Sequence, residues 1–343
     1  MHYNYNPYTP PYISNEELLK RKNKYHKHLY RSRFNAVGLY TILCIICFTV
    51  LAVVLSEIFR HLNRDIPLPA SIDSIPNNIL NSVISLLAMG VLSLIIVKIS
   101  KSKPREVFRF KRIGFVKTFQ LVIIGFSICM LSNVITAEFL GSMEDIGINL
   151  DKQYDSPLSD TPLEALIYLI SVAVIPAITE EMFFRGVILS KLTDFGASFA
   201  IIVSSLLFSL MHGNFVQIPF TFFLGLIFGY LTVYSGSMFP AMLIHFFNNA
   251  YSVITDLLNT NSDKLNINIV LLNIALISFL VVSMFLGVYS IVAISHKDKE
   301  FLKLPAYEGY FDKKTRNRLF LTSPAIIFTI VYFISEAILS LTN

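Results

Sequence analysis

The stretch AVGLYTILCIICFTVLAVVLSEIF, residues 36–59, decides the fold class. Glu57 is its single charge. A helix needs about 20 mostly apolar residues to cross a hydrocarbon core about 30 Å thick, and this run is long enough. Eight further apolar runs follow, at roughly 78–99, 117–137, 163–184, 197–212, 217–234, 239–257, 266–294 and 319–341. The fourth is interrupted by charge, and the fifth to seventh are short or tightly joined. The expectation is an all-α, polytopic transmembrane helical bundle of about nine spans, with eight as the lower count.

Composition agrees. Apolar residues make up 54% of the 343 and charged residues only 15%, against about 25% charged in an ordinary soluble domain. Mean hydropathy is +0.61. These values exclude a disordered, collagen-like or disulfide-stapled chain and argue against a soluble enzyme. The three cysteines are Cys44, Cys47 and Cys129. The first two form a C-x-x-C inside the first apolar run, where buried small side chains are expected rather than a metal or redox site.

The basic residues set the expected topology. Residues 1–34 carry Lys20, Arg21, Lys22, Lys24, Lys27, Arg31 and Arg33. Between the second and third runs stand Lys98, Lys101, Lys103, Arg105, Arg109, Lys111, Arg112 and Lys117. Between the eighth and ninth stand Lys297, Lys299, Lys303, Lys313, Lys314, Arg316 and Arg318. With nine spans all three segments fall on one side, the cytoplasm by the positive-inside rule. The chain then runs N-in and C-out, and the acidic stretch from Glu138 to Glu164 lies outside. The net charge of +5 reflects topology and lipid-surface charge, and no nucleic acid is expected as a partner.

No apolar stretch leads the first 34 residues, so no cleaved signal peptide is expected. The expected organisation is a basic cytoplasmic tail over 1–34, N-terminal spans and the acidic loop over 35–162, a polar-bearing core over 163–257 and C-terminal spans over 258–343. Within the tail, His2–Tyr12 is rich in Tyr, Asn and Pro and reads as disordered, and Asn15–Arg33 reads as a short basic helix on the inner membrane surface. No feature fixes an oligomeric state.

Ionisable groups inside spans are costly and mark functional sites. Three clusters stand out, all in runs four to seven. The first is Thr179-Glu180-Glu181-Met182-Phe183-Phe184-Arg185-Gly186. Glu181 and Arg185 are i and i+4 in the favourable order for an ion pair. Glu180 points about 100° away and has no basic partner at helical spacing, which suits it to act as a general base. Pro176, one turn upstream, is expected to bend the helix. The second cluster is Phe208-Ser209-Leu210-Met211-His212-Gly213. The third is His245-Phe246-Phe247-Asn248-Asn249. His245 and Asn249 share a helix face and can hold a developing oxyanion, with Asn248 as the alternative at i+3.

Runs four and five read as a hairpin turning near Asp194-Phe195-Gly196, which puts Glu180 and His212 at similar height. His245 lies only nine residues past Gly236 and so reads as nearer the cytoplasmic face. A tilted or broken sixth helix, weakened at Gly225 and Gly229, would bring it level.

Taken together the clusters resemble the signature of the CPBP intramembrane proteases, which include the CaaX-processing Rce1 enzymes and bacterial Abi proteins. The pattern E-E-x-x-x-R, F-x-x-x-H, H-x-x-x-N is present as Glu180-Glu181-x-x-x-Arg185, Phe208-x-x-x-His212 and His245-x-x-x-Asn249. The resemblance covers about 163–257. It implies a helical intramembrane endopeptidase, open toward the cytoplasm, acting on a membrane-associated peptide or membrane protein. By analogy Glu180 and His212 activate water, His245 and Asn249 hold the oxyanion, and Glu181 and Arg185 form the supporting pair.

The family is commonly called metalloproteases, and Glu180, His212 and His245 are the three ligands a zinc ion would use. The chain lacks H-E-x-x-H, so the preferred expectation is glutamate-activated water with no cofactor. The expected location is the bacterial plasma membrane. Three rivals are weaker. A rhomboid-like serine at Ser235-Gly236-Ser237-Met238 reads better as a tight turn. A proton-coupled transporter lacks a second polar block in 36–137. A bacteriocin-immunity protein that binds a peptide without cutting it has no need of an intact motif set.

Overall fold

The computed structural model describes residues 14–62, 74–146, 161–213 and 215–342. The described regular elements are helical, with one isolated bridge pairing Phe110 and Ser237. Each of the nine apolar runs lies in a helix or a helix pair. We label these α1 (Asn15–Leu62), α2 (residues 74–99), α3 (Phe115–Asp145), α4 (Pro162–Phe195), α5 (Ala197–Leu210), α6 (Gln217–Ser235), α7 (Phe239–Thr260), α8 (Ile269–Lys297), α9 (Lys313–Leu321) and α10 (Pro324–Thr342).

By length and apolarity α1, α2, α3, α4, α6 and α8 qualify as membrane spans among the described residues, and a seventh forms if α9 and α10, bent by 67°, count as one. The two runs outside that set are instructive. Helix α5 has only 14 residues, and α7 carries the polar side chains His245, Asn248 and Asn249.

Local chemistry sets the boundaries. Thr161 and Glu164 form a reciprocal capping box that starts α4, with Pro162 in the first turn. Asn268 caps α8 through Val270 and Leu271, and Asp312 caps α9 through Thr315. Helix α6 stops at Gly236, whose φ of 69° is left-handed backbone that glycine adopts without strain. Ser235 Oγ donates to Leu231 O at 2.6 Å and accepts from Ser237 N at 3.1 Å. Ser235–Met238 is therefore the tight turn expected between α6 and α7.

Two expectations about length change. The segment Asn15–Arg33 is not a separate surface helix, because α1 runs unbroken for 48 residues into the first span. Its basic half is held by packing: Tyr30 shares a hydroxyl hydrogen bond of 3.1 Å with Tyr307, and His26 stacks on Tyr310 at 3.7 Å. Helix α3 likewise continues through Glu138 to Asp145, so the acidic stretch begins as helix. The tail His2–Tyr12 and most of that stretch, 147–160, lie outside the described residues.

The three basic segments meet at one end of the bundle. Tyr310 donates to Asn23 on α1 at 2.8 Å, Arg109 donates to Thr193 at 3.2 Å, and Lys117 reaches Asp298 at 3.5 Å. The first and last helices are neighbours, tied by Ala325 N donating to Asn35 Oδ1 at 3.2 Å and Thr329 Oγ1 donating to Gly38 O at 3.3 Å. Cys44 is buried, its thiol donating to Ala88 O, and Cys129 is buried on α3. Helix α8 exposes Leu271, Ile277, Phe285 and Val288, a continuous apolar face that needs lipid.

Candidate active site

Helix α4 carries the first motif, and it is not a regular α-helix. Residues Ile170–Val174 and Met182–Ile188 are π-helical, flanking the α-helical turns Ile175–Glu181. Pro176 accounts for the first break. It has no N–H, so the carbonyl four residues back, Val172 O, has no α-helical donor, and the segment around it takes the wider π-helical pairing. Asn249 donates to Val172 O through Nδ2 at 3.0 Å.

The two adjacent carboxylates have separate surroundings. Glu181 and Arg185 are both fully buried, with Arg185 Nη1 donating to Glu181 Oε1 at 2.9 Å. The guanidinium lies 4.4 Å from the Phe208 ring centre and 5.1 Å from that of Phe228, and Nη2 reaches Gly225 O at 3.4 Å. Cation–π contacts of this kind are strongest where the cation is desolvated. His245 completes the group: Nδ1 lies 3.2 Å from Glu181 Oε1, and Phe228 stacks on its ring at 5.4 Å. A carboxylate only accepts, so Nδ1 carries the proton and Nε2 turns toward Glu180 Oε2, 3.9 Å away.

Glu180 keeps 18% of its side chain exposed. It lines a cavity of about 260 Å³ together with Phe184, Phe208 and His212. Ile45, Phe48 and Thr49 of α1, Met89 of α2, and Tyr332, Phe333 and Glu336 of α10 form the facing walls. His212 follows the end of α5, and its Nδ1 lies 2.9 Å from Phe208 O. A carbonyl only accepts, so Nδ1 donates, covering one of the carbonyls that a helix C-terminus leaves unpaired. In the neutral ring Nε2 is then the unprotonated nitrogen. Phe208 packs edge-on against His212 at 5.0 Å and His245 at 6.0 Å. The first position of F-x-x-x-H thus holds both imidazoles and the arginine in place.

The structure therefore gathers Glu180, His212 and Phe208 around one cavity. It sets Glu181, Arg185 and His245 behind them as a buried ionic group. Asn248 and Asn249 stand further along α7. Asn133 donates to Asn248 Oδ1 at 3.2 Å, and Asn248 donates to Asn249 Oδ1 at 3.3 Å.

His245 lies level with the glutamates, but not by the route expected. Helix α6 is unbroken from Gln217 to Ser235, and the irregular element is α4. Gly225 is a point of close approach rather than weakness: a Cβ there would stand 2.8 Å from Ser205 Cβ. Three contributors escaped the sequence reading. Asn133 is a polar residue in the third run and Glu336 a carboxylate in the ninth, so both had the signal of an intramembrane polar group. Phe228 had none, being one Phe among 29.

His245 and His212 each commit Nδ1, to Glu181 and to the Phe208 carbonyl, and leave Nε2 free, an orientation that a metal-bound imidazole also has. Among the described residues no three His, Cys, Asp or Glu side chains are grouped to hold a metal ion.

Comparison with known proteins bears on the same segment. Residues 162–251 match the family described as "Type II CAAX prenyl endopeptidase Rce1-like". The "Membrane-embedded CAAX protease MroQ" of Staphylococcus aureus (strain USA300) is 33% identical over 105 residues, covering 29% of this chain. The chain spans 42% of the length of that relative. No solved structure matches. The apolar helices and this likeness make the chain a multi-pass integral membrane protein.

Proposed function

With residues 162–251 belonging to the Rce1-like CAAX protease family of CPBP type, we propose that the protein is an intramembrane endopeptidase that hydrolyses membrane-associated peptides or proteins. One observation carries the reading. Glu180 and His212 border the same cavity, while the neighbouring Glu181 is neutralised by Arg185.

In this reading a water molecule lies between Glu180 and Nε2 of His212. Glu180 takes its proton, and the hydroxide attacks the carbonyl carbon of the scissile bond. His212 accepts the other hydrogen bond of the water and aims it. The oxyanion that forms is met by His245 through Nε2, which for this role carries a second proton, the imidazolium being balanced by Glu181 on Nδ1 and by Glu180 beside Nε2. Asn249 shares this role through the amide hydrogen that Val172 does not use, with Asn248 beside it. Glu180 then returns the proton to the leaving nitrogen as the C–N bond breaks. General acid–base transfer of this kind contributes about 10²–10⁴ in rate. No step is routed through a metal.

The substrate enters among Phe48, Tyr332 and Glu336, so an apolar peptide carrying a hydrogen-bond donor or a positive charge suits the walls. The convergence of the three basic segments at one end supports an N-in, C-out orientation in a bacterial plasma membrane.

The test is a comparison of new peptide N-termini by mass spectrometry. Wild type and Glu180→Gln are each reconstituted with host membranes and small secreted peptides. Termini produced by wild type and absent with the folded variant are expected. Identical profiles from two folded proteins would replace this reading with a non-cleaving, peptide-binding immunity role, and substrate flux without cleavage would point to a transporter.

A further inference from the structure

The basic end of the bundle carries a second cavity, apart from the Glu180 site, of about 670 Å³. Arg33 and Tyr40 of α1, the connector after α2 and the last turn of α4 form its walls. Five cations line it, Arg33, Lys101, Lys103, Arg109 and Lys191, against two carboxylates, Glu106 and Asp194.

The pairings leave charge over. Lys103 is neutralised by Glu106 at 2.9 Å. Arg109 bonds neutral oxygens, Thr193 Oγ1 at 3.2 Å and Glu106 O at 3.3 Å, and the one remaining carboxylate, Asp194, acts at longer range on both Arg109 and Lys191. Lys191 Nζ donates to Ser102 Oγ at 2.7 Å. Among the described residues none of Arg33, Lys101 and Lys191 has a carboxylate within ion-pair distance. Arg33, Arg109 and Lys191 are half-buried, so their mutual repulsion is less screened than on an open surface. The turn also holds Lys101 at a φ of 51°, a conformation that costs a side-chain-bearing residue free energy. Serine and threonine hydroxyls, Ser102 and Thr193 among them, add neutral hydrogen-bonding groups to the same wall.

Depth selects the ligand. The apolar part of α1 begins at Ala36 and that of α2 ends at Ile99. The cavity lies at these two limits, its cations just outside them and Tyr40 in its wall, which is headgroup level, where tyrosine concentrates. Basic pockets between helices at this level bind anionic headgroups. We propose that this cavity is a phosphate-binding site for the headgroup of an anionic phospholipid. Arg33 and Lys191 would contact the phosphate oxygens and Lys101 would close over them.

Native mass spectrometry of the full chain in detergent tests this, with equal amounts of phosphatidylglycerol and phosphatidylcholine of matched acyl chains. Wild type is expected to retain phosphatidylglycerol about tenfold over phosphatidylcholine. Arg33→Gln with Lys191→Gln is expected to lose that preference. Lys22→Gln with Lys299→Gln removes the same charge from exposed positions elsewhere and is expected to keep it. Lys101→Gln alters only an exposed turn side chain and repeats the test without touching the packed wall, with about a threefold loss expected. Equal retention of the two lipids, or an equal loss in the Lys22/Lys299 control, would overturn the site. Binding of inorganic phosphate as tight as that of the lipid would overturn the lipid assignment, as would displacement of the lipid by an acidic peptide at lower concentration.

Discussion

Glu180 and Glu181 are adjacent in sequence and identical in chemistry, yet the fold uses them in opposite ways. Glu181 is sealed in the core, bonded to Arg185 and His245, which themselves pack on Phe208 and Phe228. Glu180 faces a cavity and has no arginine or lysine within ion-pair distance among the described residues. Both glutamates leave Oε2 buried without a hydrogen-bond partner among the described protein atoms, so the counter-charge is what separates them. Successive residues on a helix point about 100° apart, so one turn of α4 presents one acid to the scaffold and one to the cavity. The contrast shows how a membrane protein keeps a carboxylate for chemistry. The charge next to it is countered by a buried arginine, and the aromatic rings that hold that arginine also position the imidazoles.

The comparison can be broken from either side. The largest effect is expected on the cavity side. His212→Ala removes the partner of the catalytic water and should lower cleavage by about 10²–10⁴, with little change in thermal stability because the ring caps only its own helix end. Next comes the core side. Arg185→Ala leaves Glu181 as an unpaired buried charge, which costs about 3–5 kcal/mol, so yield and melting temperature should fall together with activity. A normal melting temperature in that variant would make the ion pair incidental. Gly225→Ala sharpens the picture with a smaller effect. Its Cβ would press on Ser205 and its carbonyl accepts from Arg185. The expected cost is about 1–3 kcal/mol, with cleavage by the remaining folded protein preserved.

Much of this was legible in the sequence because it is local. The apolar runs marked the helices, the i, i+4 spacing marked the Glu181–Arg185 pair, and the glycine at 196 marked the hairpin that levels Glu180 with His212. What failed was non-local. Counting residues from Gly236 put His245 too near one face, because the count assumed regular helices and α4 contains two π-helical segments. Pro176 announced a bend in the helix, but nothing in the string said that Asn249, 77 positions away, would donate to the Val172 carbonyl there. The walls supplied by α1 and α10 come from opposite ends of the chain, and only packing brings Phe48 and Glu336 to the same cavity.

The division between the two glutamates is tested most directly by a matched pair of neutral isosteres. Glu180→Gln and Glu181→Gln would be purified side by side, with melting temperature and peptide cleavage measured on each. The account predicts that Glu180→Gln melts like wild type and does not cleave, whereas Glu181→Gln melts several degrees lower because Arg185 loses its counter-charge. Cleavage by folded Glu180→Gln at the wild-type rate would contradict it.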